Sequence, residues 1–277
     1  MNRASLFFRA LEIYGVHLHH PGQWRIHEKL RKWSKADAAG CFEVKRKGFR
    51  WMLNPADFVE SDLFWLGEKD RWDSFHIRRI VQYRMARPGA AALDVGANFG
   101  YYSICVFQNC RVFAFEPFPA NRDRLLRNLR LNGLKDAVTV LPYGLSDFSR
   151  TTHMLARGNN SGSAAIGGGA GVEVSVCTLD EFCCQYDIDA IAFIKIDVEG
   201  HEQQVLKGGQ HTIRELHPPL MVELDPSQLK RAGSKVEDVI ATLNEYGYKL
   251  MTARRASLVP LNRVPVESEV INVFCLC

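Results

Sequence analysis

Ala92-Leu93-Asp94-Val95-Gly96-Ala97-Asn98-Phe99-Gly100-Tyr101 is the stretch that decides the fold. Apolar residues run into Asp94, glycines follow at 96 and 100, and an amphipathic segment begins at Tyr101. A strand that ends in a glycine turn and opens a helix brings backbone N–H groups close to a nucleotide-like ligand. The spacing is Gly-x-x-x-Gly with an acid two residues before the first glycine, which is not the Gly-x-Gly-x-x-Gly of a dinucleotide fold.

Downstream, strand and helix signals alternate. Strands are expected over 91–95, 111–116, 137–142, 192–197 and 220–224, with helices over 101–107, 121–132 and 202–216. Strands at 248–253 and 270–276, joined by a loop over 254–269, should pair antiparallel at one edge. Such alternation implies a doubly wound, mostly parallel α/β sheet covered on both faces. Residues 150–177 interrupt it: 151–156 and 172–177 flank a glycine- and serine-rich stretch and read as a hairpin with a long mobile tip. Thr178-Leu179-Asp180-Glu181 and Ser234-Lys235-Val236-Glu237 have the form of capping boxes. Upstream lie a strand pair over 44–53 turning at Lys47-Gly48, a helix over 75–86, and a basic helix with Ile26, Leu30 and Trp33 on one face. Residues 1–88 therefore read as an N-terminal extension, and 89–277 as the sheet domain with a hairpin insertion at about 150–177.

Of the 277 residues 47% are hydrophobic, enough for a sizeable core, and the net charge is only +4 with both signs interspersed, which gives no case for nucleic acid. The eight cysteines include no Cys-x-x-Cys pair and read as reduced thiols of a cytoplasmic protein. No segment reaches the ~18 apolar residues of a membrane span. Arg9 and Glu12 interrupt the apolar cluster of residues 1–16, so it lacks the core of a signal peptide. All five tryptophans fall in the extension. Trp51, Trp65 and Trp72 could stack on sugar faces, although such residues are more often core, and the region is a candidate homodimer surface.

In an open α/β sheet the ligand lies outside the carboxyl ends of the strands. This selects Asp94 with Gly96, Asn98 and Gly100, then Glu116, the turn Gly144-Leu145-Ser146, Asp197 and Glu223. Glu116 lies twenty residues after Gly96, where an acid accepts ribose hydroxyls. A carboxylate at residue 94 repels a diphosphate but attracts an ammonium or a sulfonium. The expected cofactor is therefore S-adenosylmethionine, bound by Asp94, Gly96, Asn98, Gly100, Glu116, Leu145, Ser146 and Asp197. Lys195-Ile196-Asp197-Val198-Glu199-Gly200-His201-Glu202 places three acids and a histidine within six residues. Asp197 or His201 is the expected base, with Glu199 beside them. Lys195, Glu199, Glu202, Glu223, Asn160 and Ser161 are the expected substrate contacts. Asp197, Glu199 and His201 could hold a hard cation, although a metal-free site is favoured.

Residues 93–102, Phe115-Glu116-Pro117, residues 144–147, Thr178-Leu179-Asp180, and above all Lys195 to Glu202 with Val205-Leu206-Lys207-Gly208 resemble FkbM-type S-adenosylmethionine-dependent methyltransferases. The resemblance covers about residues 80–225, and its specific part is Asp-Val-Glu-Gly-x-Glu. It implies the class I, Rossmann-like seven-stranded sheet with its last strand antiparallel, and O-methylation of hydroxyls on sugars, glycans or glycosylated metabolites. Position 201 varies in that family, which favours Asp197 as the base with Glu199 or Glu202 in support. The rival readings are an NAD-dependent oxidoreductase and a catalytically inactive partner protein.

Overall fold

A computed structural model of the chain describes Lys29 and residues 40–68, 70–85, 89–155, 165–166, 171–267 and 269–277. The expected helix bearing Ile26, Leu30 and Trp33, and the hairpin tip carrying Asn160 and Ser161, lie outside the described residues.

The described chain begins with a hairpin, β1 (Phe42–Arg46) and β2 (Phe49–Leu53), then α1 (Glu60–Leu66) and α2 (Arg71–Arg84). The sheet domain follows: β3 (Ala91–Val95), a π-helical turn (Tyr102–Val106), β4 (Arg111–Phe115), α3 (Pro119–Leu131) and β5 (Val138–Leu141). β6 (Tyr143–Leu145) comes next, and the insertion contributes β7 (Arg150–Leu155), β8 (Ala165–Ile166) and β9 (Val172–Cys177); the four form a second sheet in the order β6-β9-β7-β8, with β7 and β9 antiparallel as expected of a hairpin. Then come α4 (Leu179–Gln185), β10 (Ile191–Ile196), α5 (Glu202–Gly208), α6 (Gln210–Leu216), β11 (Leu220–Leu224), α7 (Pro226–Arg231), α8 (Val236–Glu245), β12 (Lys249–Arg254), β13 (Ser257–Pro260) and β14 (Ile271–Leu276).

The main sheet has the order β13-β12-β14-β11-β10-β3-β4-β5. Strands β5, β4, β3, β10 and β11 run parallel, and β14 is antiparallel to both of its neighbours. The seven expected strands are present in a Rossmann-like doubly wound fold. The last two expected strands, β12 and β14, pair antiparallel at one end of the sheet, with β14 between β11 and β12, where Val273, Phe274 and Cys275 are fully buried. One detail differs: the segment expected as a loop over 254–269 holds an eighth strand, β13, which takes the edge beside β12.

Strand alternation assigns the two faces. Leu93, Val95, Phe113, Phe115, Ile194, Ile196, Leu220 and Val222 point into one core, closed by Leu179 and Phe182 of α4, Val205 and Leu206 of α5, and Val239 and Leu243 of α8. Ala92, Val112, Ala114, Phe193, Met221 and Phe274 point into the other, which residues of the extension complete: Trp51, Leu53, Phe64, Trp65, Ile77 and Val81. Trp51 and Trp65 are 0% and 1% exposed, and each indole N–H donates to a backbone carbonyl, of Arg46 and Pro55 respectively. Neither is a sugar platform; both are core. Trp72 packs edge-on to Phe75 on α2.

Two local expectations change. The helix over 202–216 breaks at Gly209 into α5 and α6. The capping box at Thr178 forms, with Thr178 Oγ1 accepting from Glu181 N at 3.1 Å, but the one at Ser234 does not. Lys235 is the residue before α8, and Ser234 Oγ instead accepts from Gln204 Nε2 at 3.5 Å. The cysteines are free thiols, and among the described residues no helix is long and apolar enough to cross a membrane.

Candidate active site

Strand order reverses at β3: β4 and β5 lie to one side, β10 and β11 to the other. A cavity of about 510 Å³ opens over the carboxyl ends of these strands, where an open α/β sheet places its ligand. Gly96 forms the crossing point. Its φ is 81°, and a Cβ there would sit 1.9 Å from the carbonyl oxygen of Asp197 on the neighbouring strand end. Only glycine permits that approach. The turn's amides are already engaged: Gly96 N and Ala97 N both donate to Phe115 O, at 3.1 and 3.0 Å, and Asn98 N donates to Glu116 Oε2 at 2.8 Å. The expectation that this turn offers its N–H groups to the ligand is therefore corrected. With these three committed, the turn lacks the amide cradle that a dinucleotide's diphosphate requires.

Below the turn lies a buried ionic group set by register. Asp94 and Lys195 are paired neighbours on β3 and β10, and both point to the face covered by the π-helical turn. Lys195 Nζ lies 3.7 Å from Asp94 Oδ1 and 3.2 Å from Asp197 Oδ2, and donates to Gly96 O at 2.7 Å. Burial opposes the lysine's charge, but the Asp197 and Asp94 carboxylates outweigh it and hold its pKa above the usual lysine value. Asp94 is 0% exposed, and its Oδ2 accepts from Ser103 N at 3.0 Å and Ser103 Oγ at 2.6 Å. Asp94 is thus not on the cavity wall. It anchors the π-helical turn and Lys195 beneath it, because Ser103 covers the face through which a ligand would reach it. Burial pushes its pKa up, against the pull of Lys195 and Ser103.

The loop after β10 presents Asp197, Glu199 and His201 to the cavity. Glu199 has φ 58°, an unfavoured left-handed conformation for a non-glycine residue. Glu202 is 1% exposed, and its Oε1 accepts from Val198 N at 3.0 Å and Gly200 N at 3.2 Å. It therefore ties the loop down from within and does not contact the cavity, a correction to its expected substrate role. His201 Nε2 lies 2.9 Å from Ser146 Oγ. Burial pushes the imidazole down to about 4, only partly countered by Asp147, so His201 is neutral at neutral pH. Its pKa is not poised near neutrality as the sequence suggested. Ser146, 0% exposed, supports His201 and does not line the cavity. Gly100 also lies off the wall, facing Leu125 of α3.

The remaining expected residues do line it: Gly96, Asn98, Glu116, Leu145, Lys195, Asp197, Glu199, His201 and Glu223. Burial pushes Glu116 up to about 7, against the hydrogen bonds its carboxyl accepts from Phe118 N and Asn98 N. Burial, with Asp197, Glu202 and Asp225 adding repulsion, pushes Glu199 up to about 8, and burial with Asp197, Glu202 and Glu199 raises Glu223 well above the carboxylate range. Sequence reasoning missed Phe58, Asp62, Tyr102, Met154, Asp225 and Gln228, which also line the cavity. Asp225 had a local signal, since Asp-Pro opens a helix: its Oδ1 accepts from Ser227 N and Gln228 N. Phe58 and Met154 had none, because they arrive from the extension and the insertion. Asn98 Oδ1 and Gln228 Oε1 are buried in this wall with no hydrogen-bond partner. Among the described residues no three His, Cys, Asp or Glu side chains are arranged to hold a metal ion, so Asp197, Glu199 and His201 do not converge on one.

Comparison with known proteins identifies the family. Residues 94–250 match the methyltransferase FkbM domain. The chain is 27% identical over 205 residues to the methyltransferase sdnD of Sordaria araneosa, an alignment spanning 61% of this chain and 76% of that protein. It is 30% identical over 156 residues to the hexuronic acid methyltransferase AglP of Haloferax volcanii, spanning 55% of this chain and 60% of that protein. A solved FkbM methyltransferase from Methylobacillus flagellatus aligns at 18% identity with a TM-score of 0.42, over 77% of this chain and 52% of that one. The matched domain covers more than half of the chain and contains the strand ends that build the cavity, so the chain belongs to the FkbM methyltransferase family and is a methyltransferase.

Proposed function

We propose that the chain transfers a methyl group from S-adenosylmethionine to a hydroxyl of a sugar, glycan or glycosylated metabolite. One observation carries the reading: a single cavity has Glu116 at the end of β4 and Asp197 at the end of β10, with the amides of the intervening turn already engaged. The residues fit this donor. Glu116 can accept the two ribose hydroxyls, the unpartnered Asn98 Oδ1 offers a further acceptor on the same wall, and Leu145 supplies apolar surface. The name of the relative AglP supports a sugar acceptor.

S-adenosylmethionine, held by Glu116 and the β3 turn, would supply an electrophilic methyl on a sulfonium, so that an acceptor oxygen could take the methyl while sulfur keeps the electron pair of the broken carbon–sulfur bond. Asp197 takes the hydroxyl proton. His201 is a poor base, because its imidazole holds a proton only below about pH 4 and its Nε2 is engaged by Ser146. Lys195 holds Asp197 in place from below and keeps the strand end against Gly96. Phe58 and Met154 add apolar surface to the cavity wall, against which an acceptor can be positioned.

Calorimetry with S-adenosylmethionine and with NAD tests the donor, and binding of NAD alone would refute it. Asp197→Asn should keep donor affinity and lose about 10²–10⁴-fold in turnover, the usual contribution of a positioned base. His201→Gln should keep most of its turnover. Full activity of Asp197→Asn removes that residue from the mechanism.

A further inference from the structure

One face of α3 fastens the extension to the sheet domain. Asn132 pairs with the backbone of β2 as a strand would: its Oδ1 accepts from Arg50 N at 2.8 Å and its Nδ2 donates to Arg50 O at 2.6 Å. One turn back, Asn128 Oδ1 accepts from Met52 N at 2.9 Å, and its Nδ2 donates to Phe99 O in the glycine turn after β3 at 3.0 Å. A further turn back, Arg124 lies 3.2 Å from Asp57 Oδ2 and 3.0 Å from Glu60 Oε1, two carboxyls that are 0% exposed. Asp57 Oδ1 also accepts from Val59 N at 2.9 Å and Glu60 N at 3.1 Å, and Ser61 Oγ donates to Phe58 O at 3.0 Å. The backbone of Phe58 and Val59 is therefore held from both ends, and the arginine ties the whole turn to α3. Phe58 and Val59 line the cavity, as does Asn121, one turn before Arg124. Phe58 is nonetheless 58% exposed. A large apolar ring held this firmly yet left open to a cavity is a surface for a ligand.

The place of this segment in the fold indicates which ligand. Three pieces of cavity wall meet on α3: the turn after β3 with Asn98, the β4–α3 junction with Glu116 and Pro117, and the segment bearing Phe58 and Val59. Asp197, Glu199 and Glu223 belong to the ends of β10 and β11, on the other side of β3. Resting on the reading of S-adenosylmethionine as donor with Glu116 at its ribose, we propose that the extension completes the donor site: Phe58 and Val59 form an apolar wall against the donor's adenosine, and Arg124 is the positioning residue that holds them there. Adenosine offers a flat, weakly polar face that an aromatic ring covers well. The acceptor meets the part of Phe58 that the donor leaves open. This wall comes from outside the matched domain at 94–250, whereas the arginine that places it lies inside. Burial and Asp57 push Glu60 up to about 7, against Arg124, the Asn54 amide and Arg127, so at pH 8 the carboxylate that pairs with Arg124 prevails.

The experiment is calorimetry with S-adenosylmethionine at pH 8, which needs no acceptor. Covering the open part of a phenylalanine is worth about fivefold to tenfold in affinity. Phe58→Ala should therefore raise the donor Kd at least fivefold, and Arg124→Met should do the same. Because the arginine acts through the ring, the double variant should bind no more than twofold more weakly than the weaker single one. Arg124→Lys keeps the cation and should bind at least threefold more tightly than Arg124→Met. Phe58→Ala alters an exposed side chain, so it decides the matter even where Arg124→Met does not fold. If the wild-type protein does not bind S-adenosylmethionine, the underlying reading fails and this one with it. Wild-type binding with less than a fivefold loss in Phe58→Ala overturns this proposal alone, and assigns Phe58 to the acceptor only. Losses that multiply in full in the double variant, or an Arg124→Lys protein no better than Arg124→Met, overturn the positioning role of Arg124.

Discussion

Lys195→Met should destabilise the protein by about 3 kcal/mol. The side chain is 3% exposed, and it is the cation beside Asp94, which is 0% exposed. Removing one partner of a buried ion pair costs about 3–5 kcal/mol, because the other charge is left uncompensated. Asp94 keeps its two hydrogen bonds from Ser103 and can take up a proton, which places the loss at the low end of that range. At roughly 2–4 °C per kcal/mol for a chain near this size, Tm should fall by about 6–12 °C. Methionine matches the lysine in length, so the loss measures charge and hydrogen bonding, not a cavity. Pairing it with Asp94→Asn removes the orphaned charge, and the double variant should be more stable than Lys195→Met by about 1–2 kcal/mol. Urea unfolding followed by the fluorescence of the buried Trp51 and Trp65 measures both. The sign with pH follows from the carboxyl. Without the lysine the folded-state pKa of Asp94, already raised by burial, climbs further, so the folded state binds more protons than the unfolded one. The deficit of the single variant therefore grows as the pH rises above the unfolded carboxyl value of about 3.9 towards the raised folded one. The lysine's own contribution is complete over that window, since its folded pKa lies above the unfolded value of 10.5 and is lost only as the pH rises through that higher value. A Lys195→Met protein within 0.5 kcal/mol of wild type, or a double variant no more stable than the single, would refute the account of the buried pair.

Glu116, pushed up to about 7, must ionise to accept ribose hydroxyls well, so affinity for S-adenosylmethionine should be about tenfold weaker at pH 6 than at pH 8. Calorimetry checks this, and Glu116→Gln should flatten the dependence. Gly96→Ala forces a Cβ against Asp197 O and adds strain at φ 81°; thermal unfolding should show a loss of about 2–4 kcal/mol, and donor binding should disappear. Glu202→Ala leaves the buried amide of Gly200 and the part-buried amide of Val198 without their acceptor, at about 1–3 kcal/mol for the former and less for the latter, so hydrogen exchange at 197–201 should accelerate and turnover should fall more than donor affinity. Unchanged exchange there would show that Glu202 does not hold the loop.

Much of the candidate site was legible because strand alternation is local. The pattern over Leu93-Asp94-Val95 and Ile194-Lys195-Ile196 already put Asp94 and Lys195 on the faces opposite their apolar neighbours, and both turned out to share one face. The carboxyl-end rule then found Glu116, Asp197 and Glu223, all of which line the cavity. The same rule also selected Asp94 and Ser146, which sit at strand ends but are covered, one by Ser103 and the other by His201. Nothing local marks that cover. The capping box at Thr178 formed and the one at Ser234 did not, although both satisfy the same four-residue pattern, because Ser234 meets Gln204 from another helix.

By itself, then, the sequence determined the order of most strands and helices, the alternation of faces along each strand, and the glycine turn after β3. These follow from periodicity and backbone freedom over a few residues. Only the tertiary structure decided which of the aligned acids meet the cavity, which are buried struts, and what their protonation is. Burial depends on segments distant in the chain: Phe58 from the extension, Met154 from the insertion and Asp225 after β11 close the space around Glu116, Glu199 and Glu223. The cost of desolvating a carboxyl, and hence its pKa, is a property of that enclosure and not of the residue's neighbours in sequence.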